Sequence, residues 1–361
     1  MNKVVYLFGA GATHAEKMYA LRSDDVGDEG LLNADVSRRV ISNFLTDEPG
    51  FLSEFGIDEK SSLEREKYKV LVGGNKKVAE KNVDIELLIS LIQSIKTDKA
   101  RQAAEKLRAA FREDIRFNLS QPSNPVNPML YSSLLELSRI NESNEQVLGY
   151  LTTNYDSLID SAFKLLRQEI DYGAEVYNNE ISSKSNVLLK LHGSFDWQMS
   201  ANSNKLEINS LTDNHAVWVP PGLDKEYVSY PYNLLSGRAR ELLTNCDVLR
   251  IIGCSLHQND FRLISLLHST YCSRKPNSYT IDLVTTQTAY DDLAITRLGF
   301  AFKFKEHFIK RSEYVDFYGK DDRFSKNPFL DWLTFNRDLL ERDSPSKLAE
   351  TTYLKNLEWG F

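Results

Sequence analysis

The sequence predicts an α/β protein: a doubly wound parallel sheet interrupted by a helical insertion. Three observations carry that expectation. A short apolar run at residues 4–8 stops at Gly9-Ala10-Gly11, as a buried parallel strand ends in a tight glycine turn. Further apolar runs at 146–152, 187–191 and 248–252 alternate with helix-period segments, and that alternation builds a parallel sheet. Polar motifs then follow these runs directly, where open α/β sheets bind their ligands.

Taken in order, the first run is followed from about Asp24 by a change of character. Helix-period segments dominate at 83–95, 98–117 and 129–140. The polar stretches 59–69 and 73–81 read as exposed loops or charged helix faces. Pro122, Pro125 and Pro128 punctuate the connection before the last helix. Residues 26–144 therefore read as one helical insertion. Strand-like runs then return. The run 146–152 precedes a helix at 156–166, and 187–191 runs into His192-Gly193-Ser194. A short strand at 217–219, a helix at 234–245 and a strand at 248–252 follow, the last ending at Gly253-Cys254-Ser255 with a helix from about Asp260. Strands at 279–284 and 301–304 complete the series. The sheet domain is thus discontinuous, 1–25 with 145–310, and 311–361 reads as a C-terminal helical extension. Its end, 353–361, carries apolar residues suited to docking on the body or on a partner.

The chain has 361 residues, 42% of them hydrophobic and 26% charged, so it can bury a core that holds a deep cleft. A net charge of −7 argues against a broad nucleic-acid-binding face. Cys246, Cys254 and Cys272 form no CxxC pair, which leaves neither a four-cysteine zinc ribbon nor a disulfide framework. The N-terminus reads as a strand, not a signal peptide, and no run reaches the roughly 20 apolar residues of a membrane span. The expected compartment is the cytoplasm, with no membrane partner.

Four motifs carry candidate chemistry. Gly9-Ala10-Gly11-Ala12-Thr13 offers backbone N–H groups to a pyrophosphate at a helix N-terminus, or serves only as a tight turn. It departs from the dehydrogenase fingerprint, because His14 stands where a small residue is needed and Asp24 and Asp25 follow no strand. Thr152-Thr153-Asn154-Tyr155-Asp156 follows a strand and equally suits helix capping. His192, at a strand end before Gly193, can face an open cleft. Gly253-Cys254-Ser255-Leu256 combines close backbone approach with a hydroxyl, or is an ordinary turn capped by Asp260. Asp84 and Glu86, two apart, do not share a helix face and read mainly as solvated surface. No phosphate-binding G-x-x-x-x-G-K-[ST] loop is present.

In this order and at these spacings, the four motifs resemble the sirtuin family, which carries a GAG-x-S turn, a QN-x-D motif, a catalytic HG and a G-x-S motif. The resemblance covers residues 1–15 and about 145–290. It implies a Rossmann-like NAD+-binding sheet. Gly9, Ala10, Gly11 and Thr13 would line the pyrophosphate, and Asn154 and Asp156 would position the nicotinamide end and the reactive ribose. His192 would act as base. Gly253 and Ser255 would form the second phosphate and ribose turn, with Thr153 and Leu256 beside them in the binding set.

The departures from the sirtuin pattern are as informative. The G-I-P-D-F-R run after the first turn is missing, the cysteines cannot build the usual zinc ribbon, and Thr285 and Thr286 stand where an adenosine-binding Asn is usual. A zinc-less core of this kind looks like the prokaryotic sirtuin-like NADases of anti-phage defence. That resemblance implies NAD+ as substrate, no metal, hydrolysis to nicotinamide and ADP-ribose, and a large homo-oligomer or a partner encoded nearby, such as a HerA-type ATPase or another sensor. The alternatives are an NAD+-dependent protein deacylase or ADP-ribosyltransferase, and a non-catalytic module that binds NAD+ or ADP-ribose.

Overall fold

The structure is a computed structural model. It describes residues 1–23, 26, 29–57, 66–72, 75–81, 84–122, 125–176, 185–200, 205–208, 216–219, 229–256, 260–274, 280–286, 327–343 and 345–356. Two compact units divide the chain: Met1–Val26, Pro122–Val219 and Tyr227–Phe361 form the first, Gly27–Gln121 and Pro220–Glu226 the second.

Strand β1 (Asn2–Phe8) leads into α1 (Ala10–Leu21). The second unit then contributes α2 (Asn33–Asp47), strands β2 (Glu66–Val72) and β3 (Asn75–Lys81), and helices α3 (Ile85–Ser94) and α4 (Asp98–Ser120). The first unit resumes with α5 (Met129–Ile140), β4 (Glu145–Thr152), α6 (Leu158–Leu165), β5 (Ile170–Asp171), β6 (Asn186–Lys190), β7 (Gly193–Met199), β8 (Leu206–Ile208) and β9 (Ala216–Trp218). It closes with α7 (Tyr232–Asn245), β10 (Val248–Ile252), α8 (Phe261–Cys272), β11 (Thr280–Val284), α9 (Pro328–Asp343), α10 (Pro345–Ala349) and α11 (Thr352–Asn356).

Six strands form one parallel sheet in the order β11-β10-β1-β4-β6-β5. The expected α/β architecture with a parallel sheet is present. Strand β1 is central, and Val4, Val5, Leu7 and Phe8 are wholly buried. Burial on both faces is why the strand reads as a continuous apolar run and not as an alternating one. On one face Tyr6 stacks on Tyr150 at 5.5 Å and meets Trp332 of α9 edge-on at 6.5 Å, while Phe8 meets Tyr131 of α5 at 5.2 Å. On the other face lies α7: a side chain on Gly149 would run into Leu242. The aromatic face also carries the buried Arg250, which donates to Tyr6 Oη at 2.8 Å and to Glu145 at 2.9 Å and pairs with Asp282 at 3.3 Å. Burial of that charge is tolerated because each edge of the guanidinium has a partner. Helix α11 packs on α5, and Tyr19 Oη donates to the Asn356 carbonyl at 3.0 Å, so the described part of the apolar C-terminal stretch is held against the body.

Three details differ from the sequence expectation. Residues 66–81, read as loops or helix faces, form an antiparallel ladder running from Glu66–Lys81 to Val72–Asn75; the lysines masked the β propensity of Tyr68, Val70 and Val78. The short strand near 217 does not join the parallel sheet but pairs antiparallel with β7, in a separate sheet of order β8-β7-β9. Helix α2, not foreseen, packs on α4, where Arg39 grips Asp114 through Nε at 3.0 Å and Nη2 at 2.6 Å. The strand expected over 301–304 lies outside the described residues. Among the described residues no helix is long and apolar enough to cross a membrane.

Candidate functional site

In this sheet the chain moves from β1 to β4 and β6 on one side, then returns to place β10 against the other side of β1. The crevice between the carboxyl ends of β1 and β10 is therefore the topological switch point, where open α/β sheets take their ligands. Both glycine turns meet there. Gly11 N donates to the Gly253 carbonyl at 2.8 Å, and Gly9 N to that of Ile252 at 3.1 Å. A Cβ on Gly9 would come within 2.5 Å of the Cys254 backbone, and one on Gly253, which has φ +60°, within 2.2 Å of Ala12 N. The two glycine turns are thus packed backbone on backbone. Helix α1 starts at Ala10 with no side-chain cap on its N-terminus, so the positive end of its dipole faces the crevice. Ala10 and Ser255 are exposed there, whereas Leu256 is buried with φ +45°.

One strand over, the loop after β4 is tied to α1. Asn154 Nδ2 donates to the Gly9 carbonyl at 3.0 Å and to Thr13 Oγ1 at 2.9 Å. The Thr13 hydroxyl in turn donates to Asp156 Oδ2 at 2.8 Å. Asp156 Oδ1 accepts from Leu158 N at 3.0 Å at the start of α6, one residue ahead of the N-cap Ser157, whose own side chain makes no cap hydrogen bond. Thr153 is half-buried and donates its N–H to the Phe8 carbonyl at 3.1 Å. Burial pushes the Asp156 carboxyl up, against the pull of the Lys190 ammonium and its hydrogen bonds.

Beneath this loop stands a fully buried lysine. Lys190 Nζ donates to the Asp156 carbonyl at 2.6 Å, to Asp160 Oδ2 at 2.9 Å and to Ser194 Oγ at 2.8 Å. All three of its protons have acceptors, and Asp160 accepts a further bond from Tyr172 Oη at 2.8 Å. Lys190 therefore joins the loop bearing Asn154 and Asp156 to the turn bearing His192. Glu16, one helical turn past Thr13, is also fully buried and accepts from Leu130 N at 3.1 Å and Tyr131 N at 2.8 Å, which satisfies the first amides of α5. Burial outweighs these bonds and pushes its carboxyl up to about 8. Burial also raises the Tyr131 phenol, whose hydroxyl is set beside Thr13 and Asn154.

His192 was expected at a strand end facing an open cleft. It lies in the turn between β6 and β7 and is only 5% exposed. Gly193 enters β7 with φ +73°, its Cα so close to the Val217 carbonyl that a Cβ would stand 2.2 Å away. The ring lies 5.9 Å from that of Tyr155, and its Nε2 is 3.0 Å from Asp260 Oδ2. A cavity of about 110 Å³ opens against His192 and Asp260, walled by Ser236 and Arg240 of α7 and by Arg262 and Ser265 of α8.

All eleven residues singled out from sequence thus lie at or just beyond the ends of β1, β4, β6 and β10. Glu16, Lys190, Asp160 and Asp260 were missed as site residues. The signal for Lys190 was a charge inside the apolar run Leu188-Leu189-Lys190-Leu191, and for Asp160 a carboxylate inside an apolar helix. Asp84 caps α3 by accepting from Glu86 N. Cys246, Cys254 and Cys272 form no disulfide among the described residues, and the first two are buried. Among the described residues no three His, Cys, Asp or Glu side chains are grouped to hold a metal ion.

Residues 149–281, from within β4 to β11, match the SIR2-like domain family. No curated protein matches the chain. Among solved structures, a Sir2 homologue mutant in complex with ADP-ribose is 14% identical, with a TM-score of 0.40 over 94% of this chain and 93% of that one. A Sir2 homologue–NAD complex is 15% identical, with a TM-score of 0.34 over 78% and 77%. Sir2Tm bound to a propionylated peptide is 14% identical, with a TM-score of 0.37 over 95% and 94%.

Proposed function

We propose that the chain is an NAD+ glycohydrolase, cleaving NAD+ to nicotinamide and ADP-ribose with water as acceptor. The observation that supports this reading is the closed node Gly9–Thr13–Asn154–Asp156 at the switch point, with His192 on the next strand end. The match to the SIR2-like domain spans Asn154, Asp156 and His192. The side-chain-free contact of Gly9 and Gly11 with Gly253, beside the uncapped end of α1, fits a pyrophosphate. Thr153, Ser255 and Leu256 fall on the same rim.

In this reading each residue has a physical task. Nicotinamide leaves neutral from a cationic nitrogen, and the ribose carbon it leaves becomes oxocarbenium-like. The oxygens of Asn154 and Asp156 suit stabilisation of that charge, in a site where burial strengthens them. His192 suits removal of a proton from the attacking water. A pure binding module needs phosphate and ribose contacts but no such base.

The same reading makes the chain an anti-phage effector of the cytoplasm that depletes NAD+. Unchecked hydrolysis would poison its own cell, so the isolated chain is expected to turn over slowly until a homo-oligomer assembles or a partner, such as a HerA-type ATPase encoded beside it, engages. Incubation with NAD+ in ¹⁸O-water tests the chemistry. One ¹⁸O in ADP-ribose supports hydrolysis. Label from ¹⁴C-NAD+ on protein or nucleic acid would assign a transferase instead, and nicotinamide release only with an acylated peptide would assign a deacylase.

A further inference from the structure

Asp260 occupies the N-cap position of α8, its carbonyl accepting from Ile264 N at 3.1 Å, yet its side chain makes no cap hydrogen bond. An Asp there normally caps, for about 1 kcal/mol of helix stability. Asp260 is instead only 7% exposed, and its carboxylate stands 3.0 Å from Nε2 of His192, 68 residues earlier in the chain and 5% exposed itself.

We propose that Asp260 is the positioning residue of His192, deepening the NAD+ glycohydrolase reading on which its kinetic consequence rests. A carboxylate only accepts, so the Nε2 of a neutral imidazole must carry the proton and donate it to Oδ2. That fixes the tautomer and leaves Nδ1 as the ring position at which His192 takes up a proton. In the hydrolysis, water oxygen bonds to the anomeric carbon while the bond to nicotinamide breaks and its electron pair goes to the ring nitrogen. The water proton passes to Nδ1 and later to solvent, so that NAD+ and water give ADP-ribose, nicotinamide and a proton. The imidazolium formed in between is held by Asp260, whose charge also lies at the favourable end of the α8 dipole. The cavity of about 110 Å³ between α7 and α8 reaches the same pair.

The test uses the full chain, ¹⁵N-labelled at histidine, with the His192 signals assigned by His192→Gln. Wild type is expected to show the Nε2–H tautomer, and Asp260→Asn, whose amide can donate to Nε2, to shift the ring toward Nδ1–H. Asp260→Asn should cut kcat roughly a thousandfold to ten-thousandfold, as loss of such a carboxylate does elsewhere, with KM changed less than about threefold. Asp260→Ser can still cap α8, so it should fold and still lose kcat. An Nδ1–H tautomer in wild type, or wild-type kcat in Asp260→Ser, overturns the proposal. If the wild-type chain, alone or assembled, leaves NAD+ intact, the glycohydrolase reading fails, and the tautomer measurement still decides the role of Asp260.

Discussion

The side-chain amide of Asn154 donates to the hydroxyl of Thr13 at 2.9 Å, joining residues 141 positions apart in sequence. Through the Gly9 carbonyl and Asp156 this contact fixes the loop after β4 against the first turn of α1. Asn154→Ala removes both donations and is expected to lower turnover of NAD+ by roughly a hundredfold or more. It should also cost about 1–3 kcal/mol of stability, since the Gly9 carbonyl and Thr13 lose a buried partner. Urea unfolding beside nicotinamide release separates the two effects.

Gly253 has no room for a side chain. Gly253→Ala places a Cβ 2.2 Å from Ala12 N at φ +60°, so it is expected to destabilise by about 2–4 kcal/mol. Gly237 in α7 is the control, because a Cβ there meets nothing within 4 Å. Gly237→Ala should stabilise by about 0.5–1 kcal/mol. Equal effects of the two on the thermal midpoint would contradict the packed-turn description.

Lys190 has no solvent and three acceptors. Lys190→Met leaves Asp160 buried without its counter-charge, at an expected cost of about 3–5 kcal/mol. Adding Asp160→Asn should recover part of that loss, because the uncompensated charge is removed with it. Denaturant midpoints of the single and double variants check this.

Glu16 makes stability depend on pH. Its pKa rises from 4.5 to about 8 on folding, with burial the largest cause. Between those values the folded protein keeps a proton that the unfolded chain has released. The contribution is therefore fully present below pH 4.5 and is lost as pH rises toward 8, by about 1.4 kcal/mol per unit. Asp156 is also raised by burial and acts in the same direction. Glu16→Gln should flatten the fall in urea midpoint between pH 5 and pH 8; an unchanged slope would place the titrating group elsewhere.

Much of the sheet was legible because parallel strands buried on both faces read as unbroken apolar runs, as in residues 4–8 and 248–252. The site motifs were legible for a related reason: polar residues directly after such runs must sit at the carboxyl edge. The hairpin β2–β3 was not, since its lysines spoke for exposure and concealed its pairing. Nor were the roles of Lys190 and Asp260. Asp260 has the residue type of a helix cap, and only the fold brings it to a histidine 68 positions away. Glu16 likewise caps a helix that begins more than a hundred residues later.

Destruction of NAD+ in this crevice can be measured directly. NAD+ loss and nicotinamide release should be followed for the purified wild type, Asn154→Ala and His192→Ala, each with and without the proteins encoded beside the chain. Wild type is expected to consume NAD+, alone or with a partner, and neither variant to do so in any mixture. NAD+ that binds wild type at micromolar concentration yet stays intact in every mixture would contradict it.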